Sequence, residues 1–286
     1  MRVVMAAVCF LIVVIVVVLA VKSVYLFQTH TPGQILFSSD WNPQKGGFGL
    51  MPFIVGSLYV TAIAMLIAVP ISILSAVYIA EYFPANIRQL TKSFVDVLAG
   101  IPSVVYGMCA IVVLVPFVRD VVAPLVGVST TGFCVLSAAL VLAVMVFPII
   151  ISICVDVFAA VPFEAREVAF AVGATKWQTT KLVVGRAAAG GVFSAVLLGF
   201  GRAFGETIAV AMLVGNLPRI PATVFDSGAT LPSIIASTYG EMMSIPLYDA
   251  AMMFLALVLI IVVLVFNYFA NLIKARVVRA QSGVEA

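Results

Sequence analysis

The chain has 286 residues, of which 64% are hydrophobic and only 9% are charged. This balance lies far outside that of a soluble globular domain, and the apolar residues fall in long uncharged runs. The composition therefore predicts an all-α integral membrane protein that crosses the bilayer several times. The formal net charge is only +3, and the basic residues are scattered without interleaved aromatic residues, which argues against nucleic-acid binding.

Six apolar segments are predicted to span the membrane, since a spanning helix needs about 20 apolar residues. They are residues 3–21, 52–80, 94–118, 133–158, 191–215 and 250–273. The apolar core of the first is longer than that of a signal peptide, so we expect it to remain uncleaved. Residues 1–49 then hold the first helix and an exterior loop, and residues 50–286 hold the main transmembrane domain.

The basic residues of the connecting segments predict the orientation. If the N-terminus is cytoplasmic, ten of them face the cytoplasm and four face the exterior, while Arg202 lies inside a span. This asymmetry favours cytoplasmic N- and C-termini. It also predicts a cytoplasmic loop at residues 159–190 and an exterior segment at residues 217–248.

The cytoplasmic loop contains a predicted amphipathic helix. Apolar residues recur at i, i+3, i+4 and i+7 from Ala165 onward, which is typical of one helical face. Pro162 and Glu164 suit a helix start, and Gly173 suits its end. From spacing alone, this helix could lie on the membrane surface or contact another protein.

Arg202 and Glu206 form a charged pair inside the fifth predicted span. Their spacing of four residues would place them on one helical face, where they could form an ion pair that fixes helix packing. Alternatively, Arg202 lines a path for an oxyanion, since a guanidinium matches such ligands bidentately, and Glu206 limits how tightly the anion is held. Gly201 and Gly205 form a G-x-x-x-G pattern that favours close helix packing.

The remaining chemistry-bearing residues do not form a recognisable site. The cysteines lie in apolar stretches and are predicted to be buried as small hydrophobic residues; they are Cys9, Cys109, Cys134 and Cys154. His30 has no partner cluster for a metal and is expected to be solvated. The sequence lacks a G-x-x-x-x-G-K-[ST] motif, so we expect no bound cofactor and expect ATP hydrolysis to require another chain.

The predicted loop helix resembles a motif of type I ATP-binding-cassette (ABC) importer permeases. Glu167, Ala169 and Gly173, followed by Ala174 and Thr175, are similar to the E-A-A-x-x-x-G loop of that family. In the family, this loop is a coupling helix that docks on an ATPase subunit. This chain departs from the pattern at residue 168, a Val where Ala is usual, and at residues 185–186, Gly-Arg in place of Leu-Pro.

Three further stretches resemble the phosphate-specific, PstC-type branch of this family. They are F-S-S-D-W-N-P at 37–43 with F-G-L-M-P-F-I-V-G-S at 48–57, D-V-L-A-G-I-P-S-V-V-Y-G at 96–107, and G-R-A-F-G-E-T-I-A-V at 201–210. Simple structural explanations also exist, with Trp41 as an interface anchor and Pro102 as a kink. Ser103 and Tyr106 could donate hydrogen bonds to an anion.

The resemblance implies a six-span permease with the type I ABC importer fold, in the cytoplasmic (inner) membrane, that imports inorganic phosphate. The implied partners are a second, PstA-like permease, a PstB-like ATPase dimer that uses ATP and Mg, a PstS-like exterior phosphate-binding protein, and lipid. The alternatives are sulfate or molybdate as cargo, a carrier or channel that does not use ATP, and a membrane scaffold without transport activity.

Two groups of site residues follow from these patterns. The substrate path is expected to include Arg202, Glu206, Ser103 and Tyr106. The ATPase contact is expected to include Glu164, Glu167, Ala169, Gly173, Ala174 and Thr175.

Overall fold

The computed structural model describes residues 2–28, 31–240 and 245–282, without the side chains at 2–6, 8–9 and 274–282. His30 and the side chain of Cys9 therefore lie outside the described residues. Six helices in the described part are long and apolar enough to cross a membrane, which confirms the predicted all-α fold with six spans. These helices are Phe10–Phe27, Met51–Tyr82, Ser103–Leu125, Val135–Ala159, Lys176–Gly205 and Pro246–Ile273.

The described elements follow one another in a simple order. The α-helices are α1 (Arg2–Phe27), α2 (Pro32–Phe37), α3 (Met51–Tyr82), α4 (Ala85–Ala99), α5 (Ser103–Phe117), α6 (Ala123–Leu125), α7 (Val135–Ala159), α8 (Phe163–Ala171), α9 (Lys176–Thr179), α10 (Gly185–Gly205), α11 (Ile208–Leu213), α12 (Leu231–Thr238) and α13 (Pro246–Ser282). Strands β1 (Trp41–Asn42) and β2 (Gly47–Phe48) form a hairpin, and the 3₁₀ turn Pro43–Lys45 lies in the connection between them. Two π-helical turns occupy Val118–Val122 and Thr180–Val184.

The chain divides into two compact units, which are described separately. The first unit comprises Met1–Val60, Gly107–Ala139 and Glu206–Val265, and the second comprises Thr61–Tyr106, Leu140–Gly205 and Phe266–Ala286.

The first unit has an apolar core to which the hairpin contributes. Trp41 pairs with Phe48 across the two strands and packs edge-to-face on Phe53, with ring centroids 5.0 Å apart. Phe53 and Leu231 of this core are fully buried. Trp41 thus packs against the protein's own core, which differs from its interpretation as a membrane-interface anchor.

The exterior segment of the first unit folds back onto α3. The Ser57 hydroxyl accepts a hydrogen bond from the Leu231 amide at 2.8 Å, at the start of α12. The side chain of Thr230 caps the same helix end. Gly56 permits this approach, because a Cβ at this position would lie 2.1 Å from the carbonyl oxygen of Ala229.

The third span begins later than predicted. Residues 94–99 belong to α4, and the apolar spanning helix begins at Ser103. The interruption lies at residues 100–102, where Pro102 has no N–H to donate and disfavours helical geometry at Ile101.

Helix α4 contacts its own unit through polar residues. Arg88 donates to the carbonyl oxygen of Ala80 at 3.1 Å, Lys92 forms an ion pair with Asp156, and Ser152 donates to Asp96 at 2.7 Å. The three polar residues of α4 recur every four positions and so follow one helical face. Its apolar side chains are exposed instead; they include Ile87, Leu90, Phe94 and Val97. This amphipathic pattern separates α4 from the uniformly apolar spans.

The fifth span begins and ends earlier than the predicted range 191–215. The helix is continuous from Lys176 to Gly205, so the non-helical connection after α8 covers only residues 172–175. No proline occurs between residues 176 and 205, and so the backbone N–H groups are all available to continue the helix. The π-helical turn Thr180–Val184 lies in this continuous segment.

Replacing Gly56 by Ala is expected to destabilise the first unit. The added methyl group would overlap the backbone carbonyl of Ala229, and overpacking of this kind costs about 1–3 kcal/mol. Thermal unfolding of the detergent-solubilised protein would measure the effect. Gly33→Ala is the matched control, because a Cβ there would meet nothing within 4 Å; equal midpoints for the two variants would contradict the prediction.

Candidate functional site

Arg202 lies in the last turn of α10 and lines a cavity of about 700 Å³ in the second unit. The α10 residues that line this cavity follow one helical face, at i, i+3, i+4, i+7 and i+8. The lining residues are Ile149, Ser194, Leu197, Leu198, Gly201, Arg202 and Asn267. The cavity is therefore mostly apolar, with one cation and two neutral polar side chains. This composition suits an oriented charged ligand, because few polar groups determine its position.

Ser103 and Tyr106 lie at the start of α5, one turn apart on the same helix face. Tyr106 is within electrostatic range of Arg202. Its hydroxyl donates a 2.9 Å hydrogen bond to the carbonyl oxygen of Leu98, so its proton is already engaged. The structure thus brings Tyr106 near Arg202. Because the phenol already donates its proton to Leu98, its oxygen can only accept a hydrogen bond, whereas the sequence pattern predicted that Tyr106 would donate one to an anion.

Glu206 lies outside the helix that carries Arg202. Helix α10 ends at Gly205, and α11 begins at Ile208. The prediction that the two charges share one continuous helical face is therefore wrong, because the helical register stops before Glu206. The Glu206 carboxylate instead accepts from the Ala209 amide at 3.4 Å and caps the start of α11. Glu206 belongs to the first unit, and Arg202 to the second.

The predicted ATPase-contact residues form a compact helix-turn unit. Helix α8 ends at Ala171, two residues before the predicted stop at Gly173, which adopts a left-handed conformation with φ = 84°. The Ala174 amide donates to the carbonyl oxygen of Ala169 at 3.0 Å, and the Gly173 amide donates to that of Phe170 at 2.9 Å. These two bonds form a Schellman motif, which satisfies the last carbonyl groups of the helix.

Thr175 begins the next helix. Its amide donates to the Gln178 side chain at 2.8 Å, and its hydroxyl accepts from the Gln178 amide at 3.3 Å. This reciprocal capping box defines where α9 begins. Gly173, Ala174 and Thr175 therefore shape the turn that returns the chain to the membrane.

The outer surface of α8 combines charge with apolar area. Glu164 and Glu167 are exposed one turn apart, and Val168 and Val172 are exposed next to them. Together with residues of the segment 178–183, these valines border an apolar cavity of about 540 Å³. Exposed apolar area rimmed by charge is typical of a protein interface.

Sequence patterns missed three residues of these sites. Ser194 lies two helical turns before Arg202, so its position on the same face could have been found from the spacing. Asn267 and Glu81 are distant in sequence and enter only through tertiary packing: Asn267 lines the Arg202 cavity, and Glu81 forms an ion pair with Arg166 of α8.

Two other sequence predictions concern reactive side chains. Among the described residues, no group of three or more His, Cys, Asp or Glu side chains could hold a metal ion. Cys134 and Cys154 are buried as predicted, whereas Cys109 is exposed on α5. Its neighbours Met108 and Val112 are also exposed, because an apolar helix surface is stable against lipid.

Six membrane-spanning helices, with a cavity lined by an intramembrane arginine, are the features of a transport permease. The family described as "Binding-protein-dependent transport system inner membrane component" matches residues 68–281. The chain belongs to this family and is a multi-pass membrane permease component.

Several curated relatives match most of this chain. "Probable ABC transporter permease protein YqgH" of Bacillus subtilis is 37% identical over 262 residues, covering 88% of this chain and 83% of the relative. "Phosphate transport system permease protein PstC" of Xylella fastidiosa is 36% identical, covering 86% and 79%. A "Probable phosphate transport system permease protein PstC" of Methanocaldococcus jannaschii is 34% identical, covering 79% and 75%.

Solved structures share the fold at low sequence identity. A chain of the inward-facing MetNI methionine ABC transporter is 18% identical, with a TM-score of 0.62 over 83% of this chain and 99% of that chain. A chain of a bacterial ABC transporter involved in alginate import is 16% identical, with a TM-score of 0.59 over 96% of both chains. The fold is therefore that of type I ABC importer permeases, as predicted.

Replacing Gly173 by Ala is expected to loosen the Schellman turn, because a left-handed conformation costs a residue with a Cβ about 1–2 kcal/mol. No atom within 4 Å would clash with the new methyl group, so the effect is one of backbone conformation alone. Hydrogen exchange of the amides at 173 and 174 should become faster. Gly173→Asn is the matched comparison, since Asn tolerates positive φ better; equally fast exchange in both variants would contradict this explanation.

Proposed function

We propose that this chain is the membrane-spanning permease subunit of an ATP-driven importer of inorganic phosphate. The observation that carries the proposal is the position of Arg202. This residue belongs to a membrane-spanning helix, and its side chain lines a cavity. An arginine within an apolar spanning helix is energetically costly, and such residues usually line a transport path. The names of the phosphate permease relatives support phosphate as the cargo.

The chemistry of the cavity fits a tetrahedral oxyanion. The planar guanidinium of Arg202 can donate two parallel hydrogen bonds to phosphate oxygens. Asn267 adds a neutral polar group; the Ser194 hydroxyl already donates to the carbonyl oxygen of Gly190 at 2.8 Å. The apolar remainder of the lining lowers competition from water. Glu206 and Ser103 remain proposed members of the path.

The energy for import comes from partner subunits. The outer surface of α8, with Glu164, Glu167 and the adjacent valines, is the proposed ATPase contact. The complete importer contains this chain, a second PstA-like permease, a PstB-like ATPase dimer that binds ATP and Mg, and an exterior PstS-like phosphate-binding protein. In the cytoplasmic (inner) membrane, both termini of this chain and α8 lie on the cytoplasmic side.

Arg202→Ala is expected to lower phosphate uptake at least about tenfold. Hydrogen bonds to a charged group contribute about 1.5–3 kcal/mol, and about 1.4 kcal/mol corresponds to a factor of ten. Uptake of radiolabelled phosphate would be measured in cells that carry the chain and its partners at matched membrane levels. Arg119→Ala is the control, because Arg119 is exposed and paired with its neighbour Asp120.

Normal phosphate uptake by Arg202→Ala would refute the site assignment. Sulfate or molybdate uptake in place of phosphate would reassign the cargo, and uptake that continues without ATP would place the chain among secondary carriers.

Glu167→Lys is expected to weaken retention of the ATPase and to lower uptake in proportion. The change reverses an exposed charge on α8 without altering the Schellman turn, so the fold should persist. Co-purification of the ATPase with the permease would measure retention. Glu167→Gln should lose less of the ATPase, because it removes the charge without introducing the opposite one. Full retention of the ATPase by Glu167→Lys would contradict the proposed contact.

A further inference from the structure

The ion pair between Arg166 and Glu81 connects α8 to the end of α3. The Nη2 atom of Arg166 lies 2.8 Å from Oε1 of Glu81, and Nε lies 3.4 Å from Oε2. This is the two-point geometry of a guanidinium facing a carboxylate. The side chains are only 14% and 9% exposed, so both charges lie largely away from water. Each charge therefore depends on the other.

The same guanidinium also binds the end of α7. Arg166 donates to the carbonyl oxygen of Phe158 at 2.9 Å, and to those of Val161 and Pro162 in the connection before α8. Phe158 lies in the last turn of α7, where helix carbonyls lack intrahelical partners and favour a cation. Five contacts match the five N–H donors of an arginine. One side chain thus ties α8 to both α3 and α7.

The apolar contacts of α8 are weaker by comparison. Ala169 is its buried residue, and an alanine side chain offers little apolar area. The valines on the outer surface of α8 are exposed. The Arg166–Glu81 contact is directional, since both charged groups are planar and meet at two points. It therefore restricts rotation of α8 as well as its separation from α3.

We propose that Arg166 and Glu81 are positioning residues that transmit movement of α8 to the cytoplasmic ends of α3 and α7. This inference rests on the proposed function, in which α8 contacts the ATPase. With the pair intact, a displacement of α8 carries the ends of both membrane helices with it. Without the pair, α8 can follow the ATPase while the membrane helices stay in place. ATP hydrolysis would then continue without matching phosphate import.

The chain allows two conservative tests of this coupling. Glu81→Gln keeps the shape of the side chain but removes its charge. Arg166→Lys keeps the charge but replaces the planar five-donor group with three donors at a single point. Lys92→Gln is the matched control, because Lys92 forms an ion pair with Asp156 in the same unit and that pair joins α4 to α7 without α8.

The complete importer with each variant would be reconstituted in proteoliposomes with the exterior binding protein, with ATP on the ATPase side. Two rates would be measured together, radiolabelled phosphate transport and ATP hydrolysis, along with the amount of ATPase retained and the thermal unfolding midpoint. In Glu81→Gln and Arg166→Lys, phosphate transported per ATP hydrolysed should fall about tenfold, which corresponds to about 1.4 kcal/mol. Lys92→Gln should keep the wild-type ratio.

A wild-type ratio in both variants would overturn the inference. It would also be overturned if the unfolding midpoint or ATPase retention fell and both rates fell in proportion, because the pair would then be only structural. Failure of the proposed function looks different, since the wild-type complex itself would then not import phosphate in response to ATP.

Discussion

The structure depends on one constraint, which is that backbone polar groups inside a bilayer have no water to bind. Helices meet this constraint along most of the chain, and three interruptions are accompanied by local hydrogen bonds. At residue 100, the Gly100 amide donates to the carbonyl oxygens of Asp96 and Val97. At residue 206, the Glu206 carboxylate accepts from the Ala209 amide, and at the end of α11 Asn216 donates to the Ala211 carbonyl. Breaks therefore occur where side chains or turns can replace the lost helical bonds.

The residues of the proposed substrate path lie next to these interruptions. Arg202 occupies the last turn before the break at Glu206, and Tyr106 follows the break at Pro102. A helix end brings polar side chains into an otherwise apolar region. The break after Gly205 also gives Glu206 a capping role, which separates it from the simple ion pair expected from spacing.

In the predicted cytoplasmic segment, the ends of short helices are likewise satisfied by local hydrogen bonds. Helix α8 is short; a Schellman turn closes its C-terminal end, and a capping box starts the next helix, α9. Its connection to the membrane helices is ionic, through Arg166 and Glu81, while its outer surface presents exposed carboxylates and valines. The ionic inner connection and the exposed outer surface both support the proposed ATPase contact.

The sequence by itself determined the membrane class, the six spans and the start and end of α8, because apolar run length and capping residues act locally. It also indicated Arg202, since a lone arginine in an apolar run requires an explanation. The structure moved two span boundaries for local reasons that hydropathy alone does not reveal: residues 94–99 form a separate helix before Pro102, and the proline-free fifth helix extends back to Lys176. Only the tertiary structure decided that Asn267 joins the Arg202 cavity and that Glu81 contacts Arg166. These two features depend on residues distant in sequence, and local propensity carries no information about which distant residues will meet.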